Sequence, residues 1–177
     1  MLSTVTCTTG VCAFGRQAVS AVGPVDATIA LVGEAPGAQE LKYGVPFVGR
    51  AGERLDNLCA NAGLVRSQLY ITNTCGCVDM SRDVRKPTLA ELDACRPRLL
   101  KELEFVSPKV CVLMGNTALS YWFPGYRIGQ IYNSVRVRDG IAFVATYHPA
   151  AALRSPHLDP VITEGLALAR RIAREAA

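Results

Sequence analysis

No stretch of this chain is apolar for long enough to cross a bilayer, although 50% of its residues are hydrophobic. The N-terminus lacks the basic-then-apolar pattern of a secretory signal, so an intracellular, cytoplasmic protein is expected. No internal repeat, low-complexity tract or interdomain linker interrupts the 177 residues. One domain over residues 1–177 is therefore expected, large enough for a sizeable core, and a monomer with it. Charge of either sign is in small excess only. A net +4 is compatible with a polyanionic partner without demanding one. Also missing is an even set of cysteines. Seven are present (Cys7, Cys12, Cys59, Cys75, Cys77, Cys95, Cys111), and an odd count without a secretion signal argues for a metal or cluster over a disulfide framework. Cys59 falls on an apolar helical face and Cys111 inside an apolar strand, where each reads as a small buried hydrophobe. The other five sit in loops or at element ends, where thiols can converge on an ion.

The most informative stretch runs from Val32 to Gly52. The apolar run Thr28-Ile29-Ala30-Leu31-Val32 reads as a buried parallel strand. It leaves through Gly33-Glu34-Ala35-Pro36-Gly37-Ala38-Gln39-Glu40 and closes on Gly44-Val45-Pro46-Phe47-Val48-Gly49 before a helix begins. Two carboxylates and a phenyl ring thus gather at a strand end, where open α/β sheets bind their ligands. A stacking ring with carboxylates suits a flat, polar-edged ligand such as a nucleobase. Plain turn chemistry of Gly and Pro accounts for the same residues equally well at this point.

Hydrophobic periodicity places a strand over 28–33 and a helix over 49–62, with Gly63 as its stop. A second strand, Leu69 to Thr72, ends at Asn73. Thr88 with Glu91 forms a capping box that opens a helix running to Phe105. A strand from Lys109 to Met114 follows, then a short helix opened by Gly115-Asn116-Thr117. Val135–Val137 and Ile141–Thr146 pair as a hairpin around Asp139-Gly140, and a last helix spans 160–175. A weak edge strand is expected near 17–22. This alternation predicts a three-layer α/β/α sandwich around a central, mostly parallel sheet.

Three of those strand ends carry polar groups: Glu34 with Glu40 and Phe47, then Asn73, then His148. An amide, an imidazole and an aromatic face are what pyrimidine recognition needs. Taken singly, His148 also reads as a structural histidine and Asn73 as a turn cap.

With these motifs in order, the chain resembles the family 4 uracil-DNA glycosylases, the iron–sulfur branch of the uracil-DNA glycosylase superfamily. The resemblance rests on Gly33-Glu34-Ala35-Pro36-Gly37 with Gly44-Val45-Pro46-Phe47-Val48-Gly49, and on Tyr70-Ile71-Thr72-Asn73. Pro108-Lys109-Val110 with Met114-Gly115, and His148-Pro149-Ala150, complete it. It covers nearly the whole chain from Cys7. It implies excision of uracil flipped out of single- or double-stranded DNA, in base excision repair. Gly33 and Phe47 would border the base, Asn73 would read its edge, and His148 would stabilise the departing anion. Glu34 and Glu40 would act near the attacking water, Leu153 would wedge into the vacated stack, and Arg154 would meet phosphate. A structural [4Fe–4S] cluster would be held by Cys7, Cys12, Cys77 and Cys95, with Cys75 unassigned.

The chemistry suits these residue types. Cleaving N1–C1′ puts negative charge on the base oxygen, which an imidazole donor can hold, and positive charge on the sugar, which a carboxylate can face. Several positions depart from the family pattern. Four residues separate Cys7 from Cys12 where two are usual, and Leu41 stands where an acid usually follows Glu40. Thr74-Cys75-Gly76-Cys77-Val78-Asp79-Met80-Ser81-Arg82 replaces a Lys-Cys-Arg-Pro-Pro-type run. Arg82, Arg85 and Lys86 are candidate substitutes for its basic groups, or simply a solvated face. The alternatives are a glycosylase for a modified pyrimidine and a non-catalytic iron–sulfur protein that binds DNA. Covalent capture of uracil-DNA through a histidine in the loop at 78–87 lacks support, because neither of the two histidines lies there. A flavodoxin-like mononucleotide binder lacks support, since the first loop has no phosphate-cradling pattern.

Overall fold

Strand β1 (Ile29–Gly33) is the axis of the fold, and all five of its residues are buried. The computed structural model describes residues 18–77 and 86–175 of the chain. After β1 come α1 (Ala38–Tyr43), α2 (Arg50–Asn61), β2 (Tyr70–Asn73), α3 (Leu89–Val106) and β3 (Val110–Met114). The second half runs α4 (Asn116–Trp122), α5 (Ile128–Ile131), β4 (Val135–Arg138), β5 (Ile141–Thr146), α6 (Pro149–Ala152) and α7 (Asp159–Glu175). The strands form one sheet in the order β2-β1-β3-β5-β4, parallel except for β4 against β5.

Strand side chains alternate between the two faces, and each face has its own core. Leu31, Ile71, Val112 and Val144 pack with Leu55 and Leu58 of α2 and with Ile162 and Leu166 of α7. Val32, Leu113 and Phe143 pack with Leu99 and Leu103 of α3 and with Leu119 and Trp122 of α4. Three layers result, as the strand–helix alternation predicts. Cys59 lies in the first core and Cys111 in the second, the buried-hydrophobe role expected of both. Burial pushes the Cys59 thiol up to about 12, helped by Asp56, and raises Cys111 further still.

Register decides what meets at the sheet edge. Gly33 is paired with Asn73, Val32 with Leu113, and Met114 with Thr146. The carboxyl ends of β2, β1, β3 and β5 therefore line one edge. The chain moves from β1 outward to β2 and returns to β3 on the other side. That reversal makes the crevice beside β1 a topological switch point.

The expected caps and turns form. Thr88 Oγ1 accepts the Glu91 N–H at 3.3 Å while Glu91 Oε2 accepts the Thr88 N–H at 2.7 Å. Asp139 and Gly140 both have positive φ (52° and 80°), the two-residue turn that suits strand twist. Three short helices go beyond the sequence reading: α1 inside the motif loop, α5, and α6 in the run after His148. Each has only four to six residues, too few for a helical period to register. The edge strand expected at 17–22 is reduced, in its described part, to a bridge between Val22 and Ile71 and a bond from Val19 N–H to Gly76 O. No helix among the described residues is long and apolar enough to cross a membrane.

Candidate active site and cysteine group

A cavity of about 180 Å³ opens at the sheet edge, lined by Glu40, Phe47, Asn73 and His148 with small residues between them. Larger hollows of about 380 and 450 Å³ lie beside Thr117 and Tyr126 and beside Leu103 and Trp122. Neither gathers the same convergence of amide, imidazole, carboxylate and phenyl groups, and that convergence marks the site more than size does. At well under the ~300–1,000 Å³ of pockets for drug-sized ligands, the cavity suits a single small heterocycle.

Gly33 lies directly beneath the cavity. A Cβ there would stand 2.4 Å from Asn73 Oδ1 and 2.5 Å from Phe47 Cζ, so only glycine lets both groups close over the strand end. Phe47 adopts a left-handed φ of 55°, a costly conformation for a non-glycine residue. Arg66 and the start of α2 hold it. Arg66 donates to the carbonyls of Pro46 and Phe47 at 2.9 and 3.1 Å. Gly52 of α2 lies so close that a Cβ would sit 1.9 Å from Phe47 O. The ring that results is stacked near His148, with centroids 5.6 Å apart and planes 27° apart.

The two carboxylates are held differently. Glu40 is buried in α1, and its Oε1 accepts the N–H groups of Val48 (3.1 Å) and Gly49 (3.0 Å). It thereby ties α1 to the turn that enters α2, and it borders the cavity. Glu34 accepts the Thr117 hydroxyl across the gap between the ends of β1 and β3. It does not line the cavity, but its charge reaches His148.

His148 is the N-cap of α6, and its Nδ1 accepts the Ala150 N–H at 3.1 Å. Burial holds its pKa below the usual 6.5, aided by the charge of Arg154 and opposed by Glu34 and Glu40. A neutral ring whose Nδ1 accepts must carry its proton on Nε2, so it is a hydrogen-bond donor on that side. Leu153 caps the end of α6, half-buried, and Arg154 follows it, exposed.

At the outer end of the sheet, the loop after β2 and the helix α3 bring three buried thiols together. The sulfurs of Cys75, Cys77 and Cys95 all lie within 4.8 Å of one another, with Cys75 and Cys95 at 3.5 Å. Hydrogen bonds from Cys75 and Cys77, with the Gly76 N–H and the charge of Arg98, hold Cys95 far below the usual thiol range. Three soft donors, one of them favoured as thiolate, are a fitting set for zinc or an iron–sulfur group. Cys7 and Cys12 lie outside the described residues, as do Arg82 and Arg85.

A family model described as the uracil DNA glycosylase superfamily matches residues 20–168. The chain belongs to that superfamily. It is 35% identical over 172 residues to a type-4 uracil-DNA glycosylase of Sulfurisphaera tokodaii, covering 90% of this chain and 76% of the relative. A protein of the same description from Archaeoglobus fulgidus is 37% identical over 149 residues, with 79% and 74% covered. One from Thermotoga maritima is 35% identical over 158 residues, with 86% and 81% covered.

Within the superfamily fold, the expected residues Gly33, Glu40, Phe47, Asn73 and His148 come together, with Glu34 just behind the wall. Sequence reading missed Arg66 and Thr117, which act across 19 and 83 residues of chain. Cys75, counted among the thiols able to converge but left without a ligand role, lies inside the group. The Cys-Gly-Cys spacing was the available signal for that third thiol.

Proposed function

We propose that this chain excises uracil from DNA by hydrolysing the N-glycosidic bond. The observation that carries the reading is the small cavity in which Phe47, Asn73, His148 and Glu40 converge. The uracil leaves the base stack and enters the cavity against the Phe47 ring. The Asn73 amide, one acceptor and two donors, pairs with the carbonyl and N–H edge of the base. Cleavage sends the N1–C1′ electron pair onto the base. The His148 Nε2–H then meets the developing negative charge on the uracil carbonyl oxygen, and such a donor contributes about 3 kcal/mol. Water adds to C1′ and passes its proton to a carboxylate, while the uracil leaves as the anion that His148 holds. Glu40 is the better placed of the two carboxylates to orient that water, with Oε1 committed to the backbone and Oε2 remaining. Glu34 lies closer to a supporting role, its negative charge facing the imidazole. Leu153 fills the gap in a duplex, and Arg154 meets a phosphate.

Cys77 and Cys95 would hold [4Fe–4S] together with Cys7 and Cys12, and Cys75, 3.5 Å from Cys95, is the alternative fourth thiol to Cys7. When bound, that cluster acts as a structural tie between the N-terminal segment, α3 and the loop after β2. Its presence is tested by iron and sulfide analysis. About four irons with matching sulfide are expected, and one zinc without sulfide overturns the assignment.

The activity is tested with a uracil-bearing single-stranded oligonucleotide, scored for abasic sites. Turnover by the native chain and its loss in His148→Ala support the reading. Equal turnover by both refutes the mechanism, and cleavage confined to another pyrimidine moves the chain to a modified-base glycosylase.

A further inference from the structure

Asn73 stands at the end of an edge strand. On its inner side β2 is paired with β1, and on its outer side, among the described residues, the Val22–Ile71 bridge alone covers it. Among the described residues, the backbone carbonyls of Asn73 and Thr74 have no strand neighbour on that side. The Arg98 guanidinium supplies the missing donors. Its NH2 donates to Asn73 O and, at 3.4 Å, to Thr74 O. Its NH1 donates to Thr72 Oγ1 at 3.1 Å and to Glu102 Oε1 at 2.6 Å. The Thr72 hydroxyl in turn donates to Glu102 Oε2 at 2.8 Å, which closes a ring of groups buried between α3 and β2. The Arg98 and Glu102 side chains are 4% and 2% exposed, so bulk water does not screen the pair. Gly76 leaves the room, since a Cβ there would come within 3.2 Å of Arg98 Nε.

We infer that Arg98 is a positioning residue for the base-reading amide: it fixes the backbone from which the Asn73 side chain enters the cavity. The fork is what the task requires. One planar group grips three consecutive residues, Thr72, Asn73 and Thr74, and a lysine offers no such pair of parallel donors. Arg98 also lies one helical turn after Cys95 on α3. The placement of the amide is thus inherited from the helix that carries a thiol of the cysteine group. The inference rests on the reading of Asn73 as the residue that binds the base edge.

Removing Arg98 alone leaves Glu102 charged and buried, which threatens folding. The informative variants are therefore Arg98→Lys, which keeps a cation for Glu102 but loses the fork, and the charge-free pair Arg98→Met with Glu102→Leu. With metal-loaded protein and a uracil-bearing single-stranded oligonucleotide, both are expected to lower kcat roughly 10- to 100-fold and leave KM within about twofold. The same substitutions made in Asn73→Ala protein should change kcat less than about twofold, because the group being positioned is already gone. A crystal structure of Arg98→Lys should show the Asn73 amide displaced by about 1 Å. Equal losses in the two backgrounds, or an unmoved amide, overturn the inference. If the native chain does not act on uracil at all, the proposed function fails instead, and the position of the amide alone decides the role of Arg98.

Discussion

The two polar groups that face each other across the cavity are fixed in opposite ways. Asn73, at the end of β2, is held by a buried charged network that spans α3 and the loop of cysteines. His148, two residues past the end of β5, is held by one local bond to Ala150 and by the apolar burial that keeps it neutral. The first arrangement gives rigidity at the cost of distant partners, any of which can misplace the amide. The second makes the donor nearly self-contained, since the turn into α6 sets both ring orientation and tautomer. An amide must be placed by others because it has no titration to exploit. An imidazole must also be kept in one protonation state, which burial does.

Disturbing the β2 side should have the widest consequence. Cys95→Ser is expected to lose most of the bound metal and to lower the melting temperature by roughly 10 °C or more, at about 2–4 °C per kcal/mol for a chain of this size. Calorimetry with metal analysis checks this, and normal melting with normal metal content would remove Cys95 from the ligand set. On the β5 side, His148→Ala should cost about 100- to 1,000-fold in excision with little loss of folding stability or of general DNA affinity. Single-turnover rates and a binding titration separate those effects. A fall in melting as large as that of Cys95→Ser would erase the contrast between the two sides.

Gly33→Ala lies between them. The added methyl meets both Asn73 Oδ1 and Phe47 Cζ, so a rate loss of about tenfold or more and a stability loss of about 1–3 kcal/mol are expected together. Leu153→Ala should discriminate between substrates. Excision from paired uracil should fall several-fold, while single-stranded uracil, which has no stack to reopen, should be nearly unaffected. The smallest effect concerns pH. His148 titrates below 6.5 in the folded protein, whereas the unfolded chain takes up its proton near 6.5. The unfolded state thus binds more protons in that interval. The stability linked to His148 is complete above 6.5 and is lost as pH falls to the depressed value. A His148→Gln variant should flatten that part of the stability–pH curve, and an unchanged slope would show that the imidazole is not held neutral.

Much of this arrangement was legible in the residues themselves. Continuous apolar runs marked the strands, and Leu55, Leu58 and Cys59 marked the buried stripe of α2. Thr88 with Glu91 announced α3, and Asp139-Gly140 announced the hairpin. Those signals are local and repeat with a known period. The helices α1, α5 and α6 gave no such signal, because one turn has no periodicity. The supports of the site were hidden for another reason. Arg98, Arg66 and Thr117 act through contacts that exist only once the sheet register is set, and an arginine in a helix looks the same whether it faces water or a strand end. Cys75 was left unassigned because Cys77 matched the family pattern, and the fold places it with Cys77 and Cys95.

The Asp139-Gly140 turn lies at the start of β5 and so on the rim of the sheet opposite the cavity. Its residues are exposed, and the Asp139 side chain is 84% accessible. Short polar tips of this kind accept inserted sequence better than any element interior. A fluorophore, an affinity peptide or a tethered partner domain placed there would hang from the far side of the molecule. The mouth of the cavity would stay open to a long polymer, and the chain could be immobilised or imaged in a working orientation.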